Sequence, residues 1–306
     1  MLGPVLETLI GGLMTGVLYS LVALGFVLIF KASGVFNFAQ GAMVLFAALS
    51  FARLSEAMPL VLAFALSVLI MIALAYAIEF LVLRRLVNQE GIILFMATLG
   101  IAYFLEGFGQ SIWGSDIYKI GLGLPTDPIF ILESVFPGGL LIDPAEFIAA
   151  IICAAMVLVL AVFFQVPRVG RALRAVADDH QAAQSVGIPL NRIWLMVWAV
   201  SGLVALVAGM MWGAKLGVQF SLSLIALKAL PVLILGGFTS IPGAIVGGLI
   251  IGAGEKLAEV FLAPVLIRTF DLAGGGIENW FAYVLALVFL LIRPQGLFGE
   301  RIIERV

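Results

Sequence analysis

The sequence predicts an all-α, polytopic integral membrane protein with eight or nine transmembrane helices. Of its 306 residues, 63% are hydrophobic and 11% are charged, whereas soluble domains carry about 25% charged residues. Apolar runs of about 20 residues, the length that crosses about 30 Å of hydrocarbon, recur along the chain. These two observations indicate a single transmembrane domain over residues 1–306, with a long loop at 114–143 and a polar segment at 166–192.

The apolar runs, taken in chain order, give the predicted crossings. The clear ones cover about 6–30, 59–83, 91–113, 144–165, 192–214, 241–262 and 277–292. Two more are short or interrupted: residues 37–54 begin at a polar turn, and residues 225–238 end just after Gly236 and Gly237. A segment that short usually spans only as part of a broken pair buried in protein. The number of crossings is therefore eight or nine, depending on whether 225–238 crosses.

The longest polar stretch, 166–192, predicts a surface helix that binds a soluble partner. Residues 170–189 are rich in good helix formers, and Gly187 followed by Pro189 is typical of a helix end. An ordinary solvated loop, with arginines that merely obey the positive-inside rule, is the alternative, but such a loop does not need the interleaved alanines. The residues expected at or near the partner contact are Arg171, Arg174, Ala175, Asp178, Asp179, Ala182 and Gly187.

The distribution of lysine and arginine predicts the orientation. If 166–192 is cytoplasmic, ten of these residues lie inside and four lie outside, and cytoplasmic loops carry the excess of positive charge. The four outside are Arg53, Lys119, Lys215 and Arg268. The loop 114–143 is then external, and nine crossings place the N-terminus outside and the C-terminus inside.

Two similar turns mark a candidate pathway through the membrane. Residues 34–44 align without gaps on residues 236–246 and match at Gly, Phe, Gly, Ala and Val. Chance recurrence of small residues explains such a match about as well as an internal repeat does. Asn37 and Gln40 either line a pathway or cap the start of a helix. The pathway residues that this hypothesis names are Asn37, Gln40, Gly41, Gly237, Thr239 and Gly243.

Several kinds of site are excluded by composition. Cys153 is the one cysteine and His180 the one histidine, so the chain has neither an internal disulfide nor a zinc-binding constellation. No phosphate-binding Gly-x-x-x-x-Gly-Lys-Ser/Thr motif occurs, so ATP is not expected to bind here. The net charge of −2 argues against nucleic acid. Among the ionisable residues only Glu106 lies deep in a predicted span, where a hydrogen bond to a neighbouring helix is the favoured role.

An ordered set of short motifs resembles one transporter family. The motifs are Gly16-Val17-Leu18-Tyr19-Ser20-Leu21-Val22-Ala23-Leu24-Gly25, Asn37-Phe38-Ala39-Gln40-Gly41, the arginine-flanked 170–189, Leu227-Lys228-Ala229-Leu230-Pro231, Leu235-Gly236-Gly237, Pro242-Gly243-Ala244 and Arg293-Pro294-Gln295-Gly296-Leu297-Phe298-Gly299. Together, and in this order, they resemble the branched-chain amino-acid ABC transporter permeases.

The resemblance implies a multi-pass subunit of the bacterial inner membrane, not an enzyme. It would pass branched-chain or related amino acids from an external substrate-binding protein to the cytoplasm, beside a second, related permease. Two cytoplasmic ATPases would bind and hydrolyse ATP, so the chain itself is expected to carry no cofactor. The predicted surface helix would then be the coupling helix that contacts an ATPase.

Two alternatives stay open at this level. Permeases for urea and short amides look similar to this family, and no residue of this sequence identifies an amino-acid side chain or an α-carboxylate. A secondary transporter or channel without ATPase partners is an alternative of another class, but such proteins usually carry charged relays at the bilayer midplane.

Overall fold

The computed structural model describes residues 2–34, 36–86, 89–125, 127–133, 136, 139–165, 167–178, 180–271 and 276–299. Almost all regular structure within them is helical, which confirms the predicted all-α class. The exception is one antiparallel hairpin, β1 (Ile129–Ile131) with β2 (Leu140–Ile142), in the loop predicted to be external.

The helices follow the predicted apolar runs closely. In chain order they are α1 (Leu2–Ser33), α2 (Gln40–Ala57), α3 (Leu60–Leu81), α4 (Gly91–Trp113), α5 (Pro144–Gln165), α6 (Pro167–Asp178), α7 (His180–Ser185), α8 (Leu190–Leu216), α9 (Ile225–Lys228), α10 (Leu230–Gly236), α11 (Ile241–Leu257), α12 (Ala263–Phe270) and α13 (Ile277–Ile292). Short 3-10 turns at Leu83–Arg85 and Phe220–Leu224 and a π turn at Ala258–Leu262 lie between them.

Five of the described helices, α1, α3, α4, α5 and α8, are long and apolar enough to cross a membrane. The helices Phe220–Gly236 and Ile241–Phe270 form a pair bent by 115°, which is either one broken span or a re-entrant loop. The crossings predicted at 37–54 and 277–292 correspond to α2 and α13, with 18 and 16 residues. At 1.5 Å per residue these are about 27 and about 24 Å long. The polytopic architecture is confirmed, and the total of eight or nine crossings stays a prediction.

Contacts divide the chain into two compact units. The first contains residues 1–23, 123–155 and 227–306, and the second contains residues 24–122 and 156–226. The boundary between residues 23 and 24 lies inside the helix α1. The two units are therefore not joined by a polar linker that the hydropathy of the sequence would show. The single domain predicted over 1–306 stays a prediction.

In the first unit, α1 and α11 pack at a distance that only glycine permits. A Cβ atom on Gly16 would lie 2.6 Å from the carbonyl oxygen of Gly248, and one on Gly252 would lie 2.4 Å from the Cα atom of Gly16. Ser20 Oγ, one turn further along α1, donates to the carbonyl oxygen of Ile245 at 3.1 Å. The contacts advance along α1 as they retreat along α11, so the helices are antiparallel. Small residues allow this close approach, as they do in many membrane helix pairs.

In the second unit, α2 is the central helix and packs against α3, α4 and α8. Every residue from Gln40 to Ala52 is buried. A Cβ atom on Gly209 of α8 would lie 2.6 Å from the carbonyl oxygen of Val44. Since protein surrounds most of α2, its polar start does not need to face lipid, which is the circumstance in which short membrane segments occur.

The α1–α11 contact makes a prediction about stability. Gly16→Leu is expected to force the two helices apart and to lower the free energy of unfolding by about 1–3 kcal/mol, the usual cost of overpacking. The thermal unfolding midpoint of the detergent-solubilised protein measures the change. Gly11→Leu is the matched control on the same helix, because a Cβ atom on Gly11 meets nothing within 4 Å. Equal losses in the two variants would contradict the packing argument.

Candidate functional site: a half-helix and its contacts

The helix α10 is only seven residues long, so it covers about 10 Å, roughly a third of the hydrocarbon thickness. Pro231 occupies its first turn, where a missing backbone N–H is tolerated. Its C-cap is Gly237, whose φ of +104° lies outside the range that residues with a side chain prefer. The sequence predicted this segment as short or interrupted, and the prediction is confirmed.

The half-helix folds back onto the first half of α11. A Cβ atom on Gly243 would lie 2.1 Å from the carbonyl oxygen of Gly236, and one on Gly247 would lie 2.6 Å from that of Val232. At the turn, the backbone N–H of Gly243 donates to Ser240 Oγ at 3.0 Å, so Ser240 is the N-cap of α11. Gly236, Gly243 and Gly247 therefore have no room for a side chain without backbone movement.

The C-terminal tail closes the open end of the half-helix. The N–H of Leu297 donates to the carbonyl oxygen of Leu235 at 2.8 Å, and the N–H of Phe298 donates to that of Gly236 at 3.2 Å. The last carbonyl groups of a helix have no hydrogen-bond donor within the helix. Here the tail supplies N–H donors for two of these carbonyl groups. The segment 293–299, one of the motifs that carried the resemblance, therefore has a structural role. It also places the end of α13 beside the turn between α10 and α11.

A charged cluster lies where the chain enters the half-helix. Tyr19 Oη donates to Glu255 Oε1 at 3.1 Å, and Lys228 Nζ donates to the same oxygen at 3.2 Å. The side chain of Glu255 is 11% exposed and that of Lys228 is 40% exposed, while Tyr19 is buried. A buried carboxylate is expensive inside a membrane protein unless it is paired and hydrogen-bonded. This cluster, which we call the Tyr19–Glu255–Lys228 triad, therefore holds the start of α10 against α1 and α11.

The triad was not among the sites predicted from the sequence, although the sequence contains a signal for it. Glu255 lies three residues after Gly252 and seven after Gly248, so it occupies the face of α11 that packs on α1. A carboxylate on a small-residue face is buried by that packing. Lys256 and Glu259, in contrast, form an exposed i,i+3 pair at 2.8 Å.

In the second unit, Asn37 and Gln40 form a buried amide cluster. Gln40 Oε1 accepts hydrogen bonds from Ser201 Oγ at 2.8 Å and from Asn37 Nδ2 at 3.4 Å. Asn37 Oδ1 accepts from the N–H of Ala39 at 3.0 Å and so fixes the turn before α2. A Cβ atom on Gly25 would lie 2.2 Å from Gln40 Nε2. Both amides are fully buried in this conformation, so their place in a pathway stays a prediction.

The two turns that the sequence aligned share one structural property. Gly41 begins the first turn of α2, and a Cβ atom on it would lie 2.2 Å from the carbonyl oxygen of Ser223. Gly243, its aligned counterpart, lies in the first turn of α11 and is equally confined. Gly237 is buried, and Thr239 is half-buried. The predicted repeat therefore aligns two helix starts that each pack tightly against a backbone carbonyl.

The predicted surface segment is helical in its described part. Within 170–189, α6 and α7 lie on either side of residue 179, which lies outside the described residues. Gly187 has a φ of +84°, and the N–H of Ile188 donates to the carbonyl oxygen of Ala183 at 3.0 Å, so α7 ends as a Schellman motif near the predicted residue.

One face of this segment is buried and the other is exposed. Leu173, Val176 and Ala183 are buried, and both helices contact α8. Arg171, Ala182 and Gly187 are exposed, and Ala175 is half-buried. Asp179 and the side chains of Arg174 and Asp178 lie outside the described residues. In the described part of the segment, the residues predicted to contact a partner thus lie on or near an exposed face, while the opposite face is buried.

Comparison with known proteins identifies the family. The family described as "Branched-chain amino acid transport system / permease component" matches residues 8–293. The chain belongs to this permease family. The relatives named as branched-chain amino acid permeases match over 91% to 98% of their own length, so the resemblance found in the sequence is confirmed.

Three relatives of the permease illustrate the match. The high-affinity branched-chain amino acid transport system permease protein BraD of Pseudomonas aeruginosa is 29% identical over 98% of each chain. The corresponding LivH of Escherichia coli is 27% identical over 98% of this chain and 97% of its own. A probable branched-chain amino acid transport permease, LivH of Methanocaldococcus jannaschii, is 28% identical over 94% and 91%. This permease is a transmembrane subunit of an ABC importer.

The triad predicts how substitution of Glu255 changes the stability of the permease. Glu255→Leu removes the acceptor of both Tyr19 and Lys228 and leaves the lysine charge unpaired. We expect a loss of about 1–3 kcal/mol, the lower range for an unsatisfied group, because Lys228 is partly exposed. Lys228→Met together with Glu255→Leu is expected to recover part of that loss, since no unpaired charge remains. Thermal unfolding midpoints in detergent measure both changes.

Glu259→Leu is the control for the triad. It breaks the nearby ion pair between Lys256 and Glu259, whose side chains are 37% and 44% exposed. Exposed pairs contribute about 0–1 kcal/mol, so little change is expected. If the double variant were no more stable than Glu255→Leu alone, the charge pairing would not be what holds the cluster.

Proposed function

We propose that this permease passes branched-chain or related amino acids from an external substrate-binding protein to the cytoplasm. A second, related permease completes the membrane part, and two cytoplasmic ATPases supply the energy. The observation that supports the substrate class is the similarity, over nearly the full length, to relatives named as branched-chain amino acid permeases.

The proposed orientation places 166–192 and the C-terminus in the cytoplasm and the loop 114–143 outside, in a bacterial inner membrane. The ten-to-four division of lysine and arginine supports it. In the first unit the tail 293–299 contacts the turn between α10 and α11, so this turn shares the side of the tail. The N-terminal end of α1 lies toward the opposite side, because α1 is antiparallel to α11.

The proposed pathway uses the two confined turns. Asn37, Gln40 and Gly41 belong to the first, and Gly237, Thr239 and Gly243 belong to the second. A broken helix is a common element of transporter pathways because its ends present backbone groups that an unbroken helix conceals. The buried amides would become accessible only in another state of the transport cycle.

The substrate class is tested by competition. In cells that lack other branched-chain amino-acid uptake, the permease co-expressed with its partner subunits is expected to take up labelled leucine. Excess unlabelled isoleucine should abolish this uptake, while excess urea or acetamide should leave it unchanged. Competition by urea alone would support the short-amide alternative instead, and uptake without any ATPase subunit would support a secondary transporter.

The coupling role of 166–192 is tested at Ala182. Ala182→Glu puts a charged side chain on the exposed face of α7, where a small residue is expected to fit against an ATPase. Leucine uptake is expected to fall at least about tenfold, which corresponds to about 1.4 kcal/mol of lost coupling. ATP hydrolysis stimulated by the binding protein should fall with it, while the amount of protein in the membrane should not.

Ala57→Glu is the matched control for Ala182→Glu. It makes the same chemical change at an exposed residue at the end of α2 opposite to Asn37 and Gln40. We expect normal uptake and normal hydrolysis. Wild-type activity in Ala182→Glu would show that this face does not contact an ATPase.

A further inference from the structure

The outer surface of the second unit contains an apolar groove between α3 and α8. Its volume is about 570 Å³. The walls are formed by Leu69, Ile72 and Tyr76 from α3 and by Leu195, Met196 and Ala199 from α8. Leu69 and Tyr76 are more than half exposed, at 60% and 53%. In a membrane helix pair such an opening is filled by an apolar molecule, because water gains no partners there.

One end of the groove is positively charged. Arg192, the third residue of α8, lines the same groove as Tyr76. The helices α3 and α8 are antiparallel, because Met71 packs against Gly202 while Leu83 and Trp194 line one small cavity. The end of α3 therefore lies at the same side of the unit as the start of α8.

Two further arginines follow the end of α3. Arg84 and Arg85 are exposed in the turn Leu83–Arg85. The guanidinium of Arg84 lies 5.9 Å from the centre of the Phe80 ring, and Phe80 stacks on Tyr76 at 5.8 Å. Among the side chains that the structure describes, no carboxylate forms an ion pair with Arg84, Arg85 or Arg192. The charged end of the groove thus has positive charge available for an anion.

We propose that this groove binds an anionic phospholipid. Arg192 and the Tyr76 hydroxyl would bind the phosphate, and one acyl chain would lie between α3 and α8. The planar guanidinium matches phosphate geometry, and basic pockets between membrane helices bind anionic headgroups. From Arg192 to Ala199 the groove follows seven residues of α8, about 10 Å, which holds the first part of an acyl chain.

A protein partner fits this surface less well. A second permease seated on the groove would bury Arg192 away from water and would have to supply the carboxylate itself, because no described carboxylate of this chain pairs with Arg192. Burying an unpaired charge is unfavourable. A phospholipid, in contrast, supplies an apolar tail and a negative headgroup in the order that the groove presents them.

Lipid retention tests the proposal. The full chain, purified with its co-expressed partner subunits, is equilibrated in mild detergent with equal amounts of phosphatidylglycerol and phosphatidylcholine. Native mass spectrometry then counts the lipids retained. We expect wild-type protein to retain phosphatidylglycerol preferentially. In Arg192→Gln its half-saturating concentration should rise about fivefold, as expected for one basic residue near a headgroup.

Two further variants separate the headgroup from the acyl chain. Ala199→Phe fills the apolar part of the groove and should lower retention of both lipids. Arg268→Gln removes an exposed arginine from α12 and should change neither. Equal retention by wild-type protein and Arg192→Gln, or no preference between the two lipids, would overturn the proposal. So would a disulfide formed, after addition of an oxidant to native membranes, between Leu69→Cys and a cysteine introduced into the second permease, because it would make the groove a subunit interface.

Discussion

The need to satisfy every backbone polar group inside a membrane governs the arrangement around α10. A helix that stops after seven residues leaves N–H and C=O groups without partners, and inside a membrane water is not available to bind them. Pro231 removes one such N–H, and the amides of Leu297 and Phe298 bind two of the open carbonyl groups. The half-helix, the turn and the C-terminal tail are therefore one hydrogen-bonded structure, although Leu297 and Phe298 each lie 62 residues after the carbonyl group that they bind.

The glycines and the triad of the first unit have complementary effects. Gly16, Gly248 and Gly252 bring α1 and α11 close enough to exclude side chains between them. That closeness buries Glu255, and the buried carboxylate then requires the hydroxyl of Tyr19 and the ammonium of Lys228. The packing of α1 on α11 thus buries a carboxylate that needs a positive charge beside it. Lys228, which lies just before the half-helix, provides that charge.

The second unit combines a rigid centre with an accessible edge. The amide cluster around Gln40 ties the start of α2 to Ser201 of α8 within the buried core. The polar segment of α6 and α7 precedes α8 in the chain and contacts it. Leu173 and Val176 of this segment are buried, and another face of the segment is exposed. A force applied by an ATPase to that exposed face would be carried by helices packed directly on α8. This arrangement is consistent with the coupling role proposed for the segment.

The sequence by itself determined the membrane class, the boundaries of the long helices, the break near Gly237 and the helix end at Gly187. These features depend on local chemistry: the length of an apolar run, the conformational freedom of glycine and the missing N–H of proline. The order of the motifs was also enough to indicate the permease family. Only the tertiary structure decided which polar residues meet. From the sequence, Glu255 and Lys228 were predicted only to lie near span ends, and Asn37 and Gln40 were predicted either to line a pathway or to cap a helix. Hydropathy indicates depth in the membrane, but it does not indicate which face of a helix is covered by another helix. The backbone contacts of Gly41 and Gly243, and the groove beside Arg192, likewise depend on the approach of segments distant in sequence.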